Sequence, residues 1–448
     1  MSAPAKRGTR FGFTFFGAVG AVMAALKLKE HLDQSDRQVP SDEEGGQVRL
    51  GRTDTYRDDP DDSASEALLD TELARPQRKR AGCCVCCGLN CGLFWKAVGI
   101  ILLLWMVYGT FKLAIWAFTP TVTGLEDMPA FGTALGCLAA PYFYNSSEVV
   151  KFAVPMGVNA DHAFDVRGDA VGTITLDKGA ADATEIVYEL SLRTDNAELL
   201  DFVSVRVPKL DVNDDRVLIN TPTLATDDDC ARFDVTIRIP PTLRKLHAAS
   251  HSTAHVQFAR GAEVRLDSLF VTLFGMDSRN IIRSNVALQA DAMSLEVYRG
   301  WIVGDVAVVD KTDLSTQRGD GVLHIDAHPV ARGVTPAFLS TTTGAGRTDV
   351  SWVTSRAFEQ RPIRATHMSS RSGDVRLTYR DAEFEGVVQL DSKSYSASRL
   401  QRIENPQMEE GAGEGDMPSD ARWTHFVGSR DKRDRMYVQS AGWTGVYF

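Results

Sequence analysis

The hydropathy of the chain changes character twice. From Leu93 to Phe118 it is almost wholly apolar, and Lys96 and Lys112 are the only charges, each near an end. A helix needs roughly 20 apolar residues to cross a hydrocarbon core of about 30 Å, so this run predicts a transmembrane helix. The two lysine stems can reach back to the headgroups. Trp95, Trp105, Tyr108 and Trp116 add the aromatic character of membrane interfaces. From about Ser147 the apolar positions begin to alternate instead. Phe152-Ala153-Val154, Thr173 to Leu176, Ile186 to Leu190 and Phe233 to Ile239 all have the period of half-buried strands, and Pro240-Pro241 closes the last. Residues 150–241 therefore read as an antiparallel β module.

After Pro241 a repeated texture follows. Leu269 to Gly275, Leu295 to Ile302, Leu314 to Leu323, Leu339 to Gly346 and Met368 to Leu377 each carry a strand-like stretch and a glycine turn, the last three with a Ser/Thr-rich approach. Gly275, Gly300, Gly321, Gly346 and Gly373 punctuate the series at separations of 25, 21, 25 and 27. Units of this length, each a strand and a glycine corner, predict rungs of a β-solenoid over 242–448. The alternation places Leu295, Val297, Ile302, Leu323 and Ile325 inside and His324 outside. An irregular β-sandwich is the competing arrangement. The fold class is thus mainly β, a β module followed by a β-solenoid-like domain, preceded by a tail and one transmembrane helix. An acidic, glycine-rich loop at 402–421 interrupts the rungs, and the strand ending on Tyr447-Phe448 either docks into the core or protects the end of the stack.

Charge sets the expected orientation. Arg75, Arg78, Lys79, Arg80 and Lys96 precede the apolar centre, and Lys112 is the only Lys or Arg between it and Lys151. Positive residues stay cytosolic, so residues 1–92 are expected inside, 93–118 across the bilayer, and a linker at 119–149 leads to an outside or lumenal β region. Asn145-Ser146-Ser147 is an N-glycosylation acceptor on that outer side. Cys83, Cys84, Cys86, Cys87 and Cys91 crowd the cytosolic edge of the span and are candidates for S-palmitoylation. Their spacing has no second pair or histidine at zinc-finger distance. Cys137 and Cys230 lie beyond the span, where a disulfide and two separate thiols are both open readings.

The acidic segment 30–72 holds fourteen acidic and four basic residues and is expected to be disordered. Residues 1–29 carry five basic residues and the apolar run Phe11 to Leu26, consistent with a second short inserted helix or a targeting segment. The net charge of −10 offers no basic field for nucleic acid.

No catalytic constellation stands out. Gly-x-Ser-x-Gly, His-Glu-x-x-His and phosphate-loop patterns are absent from the sequence. His247, His251 and His255 recur every four residues, but on a strand that spacing is about 13 Å, too far for one ion, so they read as surface histidines. Asp211-x-Asn213-x-Asp215 opens like a calcium loop but has Arg216 and Pro222 where glycine and glutamate are needed. Asp227-Asp228-Asp229 reads as a solvated loop. Asp305, Asp320 and Asp374 would be the carboxylates of a carbohydrate-cleaving solenoid, the enzymatic alternative. No cofactor and no metal site are expected.

The rungs Ser315 to Leu323 and Ser369 to Leu377, with Ser/Thr before the glycine and Asp after it, resemble the repeats of adhesin-type β-solenoid domains of unknown function. The layout from about residue 75 onward resembles single-pass fungal membrane proteins that carry such a domain. The resemblance implies a membrane-anchored, non-enzymatic ectodomain for adhesion, scaffolding or partner binding, with the membrane and a protein or glycan ligand as partners. It supplies no catalytic residues. A trafficking or assembly factor of an internal membrane is the remaining alternative.

Overall fold

The computed structural model describes residues 22, 24–29, 32, 85–86, 89–118, 123–208, 216–226, 229–330, 335–353, 361–404 and 422–448. It comprises two compact units, residues 1–121 and 122–448. In the first, the apolar run forms a helix, Cys91–Phe118, whose stretch Phe94–Ile115 is long and apolar enough to cross a bilayer. Leu103, Trp105, Met106 and Phe111 are exposed, unlike the side chains of a helix buried in a protein core. Ala97 and Ile101 are covered by Val22 and Leu26, two helical residues of the earlier apolar run.

The second unit is a stack of parallel rungs, each giving one strand to each of two faces. On the first face Asp161–Arg167, Lys245–Ser250, Val264–Leu273, Leu288–Val297, Lys311–Thr316, Ala337–Thr343 and Ile363–Ser369 pair in that order. On the second, Val171–Lys178, Ala254–Phe258, Ile281–Ser284, Trp301–Val308, Val322–Pro329, Thr348–Trp352 and Val375–Thr378 do the same. The stack runs without a break through residue 241. Alternation along 150–240 predicted strands but not their direction. Asp161–Arg167 and Val171–Lys178 pair in parallel with their neighbours, so the antiparallel expectation holds only at the N-terminal end.

Both ends are interleaved. At the N-terminal end Arg216–Asn220 and Ala231–Ile239 lie outside the earlier rung 161–178, and the chain then crosses to the inner side at Lys245. At the other end Asp434–Tyr447 inserts between the 363–378 rung and Gly386–Ser398, serving both faces as one long strand. The chain's last strand is therefore docked inside the stack, and Phe448 is buried against Tyr379 and Phe384.

One apolar cluster fills the interior from Val154 to Phe448. Its columns follow the register: Ala248, Val271, Leu295 and Leu314 stack on one side, and Ile282, Ile302 and Leu323 on the other. Each buried Leu, Ile or Val contributes roughly 1.5–3 kcal/mol by leaving water. Leu295, Val297, Ile302, Leu323 and Ile325 are all buried, as alternation predicts. Towards the C-terminal end the column turns polar, with Thr341 and His367. There His367 Nδ1 lies 2.8 Å from Thr341 Oγ1 and Nε2 lies 2.8 Å from Tyr379 Oη, so the buried polar groups are satisfied.

The corners explain the glycines. A Cβ built on Gly346 would lie 1.9 Å from Gly321 O, one on Gly373 would lie 2.3 Å from Gly346 O, and one on Gly442 would lie 2.4 Å from Gly373 O. The turns stack backbone on backbone, leaving no room for a methyl group. Gly300 plays the same part over Asn280 O, at 2.2 Å. Gly275 differs, since its nearest neighbour is the Asn280 side chain at 3.2 Å.

Gly346→Ala should therefore force two rungs apart and destabilise residues 122–448 by about 2 kcal/mol or more. Ala345→Ser, one residue away and exposed, should stay within about 0.5 kcal/mol of the parent. Denaturant unfolding of both variants tests the stacked corner, and equal tolerance would contradict it.

Candidate functional site

Two features of the stack are not needed to make a solenoid. The first is a strap formed by residues 123–140 on the outer surface of the second face. Leu125, Met128 and Phe131 cover Ile281, Trp301, Val303 and Val322, which alternate outward from their strands. The Phe131 ring sits 5.1 Å from the His255 ring, with the Arg283 guanidinium 4.8 Å from its centroid. Gly132 N–H donates to His255 Nδ1 at 2.8 Å, and His255 Nε2–H donates to Arg279 O at 2.8 Å. The neutral tautomer with its proton on Nε2 satisfies both bonds.

Farther along, Arg232 is buried and donates through Nη1 to Gly132 O at 2.8 Å and Gly136 O at 2.9 Å. Its other nitrogens form a bidentate pair with Asp234, which also accepts from Thr173 Oγ1 at 2.7 Å and Arg193 Nη2 at 3.1 Å. The charge of Arg232 is thus matched, and its remaining donors are free to hold the strap. Cys137 and Cys230 adjoin this clamp, joined sulfur to sulfur with Cα atoms 5.7 Å apart.

The histidine row does not stay on one surface. His247 and His251 lie on the first face, where His247 meets Phe270 edge-on and His251 stacks on Phe274 at 4.6 Å. His255 follows a turn onto the second face and is fully buried under the strap, correcting its reading as a surface histidine. Pattern alone missed this because the covering side chains come from 123–140, a segment with neither strand nor helix periodicity. Burial holds the His255 imidazole down to about 4, against the bond to Arg279 O that favours its charged form.

The second feature is the C-terminal end of the stack. Gly386–Val388 are flanked on the outer side by His425–Val427. After an irregularity between Ser392 and Ser394, the strand continues to Ser398 beside 443–447, and among the described residues no second strand pairs with Ser394–Ser398. Tyr395, Arg402, Thr424 and His425 line a cleft of about 550 Å³ there, with Tyr395 Oη 3.4 Å from His425 Nε2. On the outer surface Trp443 and Tyr447 fold over Gly445, where an added Cβ would lie 2.5 Å from Trp443 Cη2.

The other sequence candidates are dispersed. Asn145 is exposed, with φ 55° and ψ 27°, and Ser147 of the acceptor donates to Val149 O at 3.0 Å. Cys86 lies in the strand Val85–Cys86 and Cys91 begins the helix, while Cys83, Cys84 and Cys87 lie outside the described residues. So do Asp211, Asn213, Asp215, Asp227 and Asp228, and most of the 402–421 loop. Asp305 pairs with His328 at 3.0 Å, and Arg299 holds Asp320 at 2.9 Å, keeping that carboxyl below its ordinary value. Asp374 is exposed. Among the described residues no three His, Cys, Asp or Glu side chains converge as metal ligands.

No protein-family model matches the chain, and no curated protein matches it by sequence. Among solved structures, it is similar to a "putative adhesin" from Bacteroides fragilis, at 10% identity and a TM-score of 0.32, over 67% of this chain and 96% of that one. A "putative cell adhesion protein" from Clostridium sporogenes follows at 8% identity and a TM-score of 0.21, over 67% and 99%. A "putative adhesin" from Parabacteroides merdae matches at 10% identity and a TM-score of 0.21, over 51% and 92%. The fold assignment rests on the strand register of this chain.

A depressed histidine pKa makes acid destabilising. The contribution of neutral His255 is complete above its unfolded value of about 6.5 and is lost as pH falls towards about 4. His367, held down to about 3 by burial, adds to the same trend. His255→Asn should flatten the dependence of stability on pH between about 6 and 4 by up to one proton, roughly 1.4 kcal/mol per pH unit. Denaturant midpoints at stepped pH measure this, and an unchanged slope would contradict the buried strap contact.

Proposed function

We propose that this chain is a type II single-pass membrane protein whose β-rich ectodomain serves adhesion, scaffolding or partner binding without catalysis. The observation that carries the reading is the exposed apolar helix Cys91–Phe118, with the clamped strap at 123–140 next in sequence. A helix of that length with its basic residues on the N-terminal flank directs residues 122–448 to the outer or lumenal side. Exposed Asn145 suits glycosylation there, and an oxidising compartment suits a Cys137–Cys230 disulfide. The clamp would hold the strap, the first described segment after the helix, against the outer surface of the stack. Asp320 is neutralised by Arg299 and Asp305 is paired with His328, which leaves the carbohydrate-cleaving alternative without an unengaged acid–base pair built from these two residues.

Protease treatment of sealed microsomes should digest residues 1–90 and spare the C-terminal unit. Asn145→Gln should abolish the mobility shift produced by glycosidase treatment. A protected N-terminal segment with a digested β region would overturn the orientation.

We also propose thioester acylation at one or more of Cys83, Cys84, Cys86, Cys87 and Cys91, tuning sorting of a chain its helix already anchors. Acyl exchange should label this cluster only after hydroxylamine, and label-free cysteines would reject the assignment.

A further inference from the structure

The strap at 123–140 is held in two different ways along its length, and it contributes no strand to either face. Its second half is firmly anchored. Cys137 is joined to Cys230, Arg232 donates to Gly136 O at 2.9 Å, and Arg193 Nη1 donates to Leu138 O at 3.1 Å. The first half lies on Ile281, Trp301, Val303 and Val322 through Leu125, Met128 and Phe131. Its backbone meets the stack at Gly132, whose N–H donates to His255 Nδ1 and whose O accepts from Arg232. Gly132 and Gly136, at φ 74° and 77°, bracket the single turn Thr133–Leu135 between the two halves. Glycine takes that left-handed backbone without the penalty of a Cβ, so this is where the strap can bend.

The bond from Gly132 to His255 exists only while the imidazole is neutral. Nε2 donates to Arg279 O, so a second proton would sit on Nδ1, 2.8 Å from the Gly132 nitrogen, and two donors would oppose each other. The charges acting on the ring are cations, Arg232, Arg279 and Arg283, one or more from each flank. Asp234 matches Arg232, Asp277 matches Arg279, and Arg283 stacks over Phe131. Thr173 and Ile281, the neighbours of His255 across the strands, carry no charge. Of the strap's own carboxylates, Glu126 accepts from the Thr123 and Gly124 amides at 2.6 and 2.9 Å, and Asp127 is exposed. Among the described residues no carboxylate pairs with His255 to receive a positive charge.

We propose that the first half of the strap is an acid-operated flap. Protonation of His255 releases residues 123–132, which bend about Gly132–Gly136 while Cys137 and Leu138 stay anchored. The apolar strip of Ile281, Trp301 and Val303 is thereby bared on an intact stack. Burial holds the closed imidazole down to about 4, opposed by the Arg279 carbonyl and reinforced by the three arginines, whereas a released one titrates near the ordinary 6.5. The closed form is therefore fully favoured above about 6.5, and its advantage shrinks about tenfold per pH unit as pH falls towards about 4. Opening gives up the outer contact with Trp301 but none of the interior columns, so it precedes unfolding of the rungs. The inference needs no particular orientation across a membrane.

Hydrogen exchange of the full chain in nanodiscs, stepped between about pH 7 and 4.5 and divided by the intrinsic rate at each pH, reads the opening at the Gly132 amide. Its protection factor should fall about tenfold per pH unit below about 6.5, and at every pH should lie below that of the interior strand Leu288–Val297. Return to neutral pH should restore it. His255→Asn keeps a neutral acceptor towards Gly132 but takes no proton, and should remove the slope. A Gly132 protection factor that does not fall with pH overturns the proposal. So does one equal to that of Leu288–Val297 throughout, because the acid effect would then be unfolding of the stack. A slope retained in His255→Asn overturns His255 as the trigger. If that variant does not fold, the onset in the parent decides, since a histidine trigger begins near 6.5 and a carboxylate trigger only near about 4.

Discussion

The spacing between rungs governs this protein. Parallel strands sit about 4.8 Å apart in the hydrogen-bonding direction, so every turn of the chain lies directly on the turn before it. That demand fixes Gly346, Gly373 and Gly442, where a methyl group would meet the carbonyl of the previous corner. It also fixes the columns, since Val271, Leu295 and Leu314 must each fill the space above the last. The strap needs a flat outer surface, which the same repeat supplies.

Features that depend on local pattern were legible in the sequence. The period-two alternation located the strands, the glycine punctuation located the corners, and inward residues such as Ile302 and Leu323 are buried as predicted. The apolar length of Phe94–Ile115 was equally plain. Features that depend on long-range pairing were not legible. Nothing in 161–178 indicates that it lies between 216–239 and 245–258, because alternation reports burial of a face and not the partner of an edge. Nor does the last strand reveal that it slips inside Gly386–Ser398.

The candidate site was less visible still. Residues 123–140 have no periodicity, yet they bury His255 and engage Arg232 across about 100 residues of sequence. The one hint was the alternation Arg232-Phe233-Asp234, which puts two opposite charges on the same outward side of a strand. A matched pair there can hold its neighbours by hydrogen bonds without leaving a buried charge uncompensated. Ser394 to Ser398 is a polar, featureless run whose pairing to Trp443–Tyr447 alternation does not reveal.

The stack itself is most directly tested by distances between spin labels at positions in register on the first face. His247, Phe270, Ser294, Asp313 and Ser340 follow one another across the rungs, and Ser340 continues through Thr366 and Tyr437 to Gln389. Labels at His247 and Ser340 are four rungs apart, which predicts about 19 Å, and labels at His247 and Gln389 are seven apart, which predicts about 34 Å. Distances that rise with rung number in this way are the expected result. A His247–Gln389 distance no longer than the His247–Ser340 distance would contradict the stack.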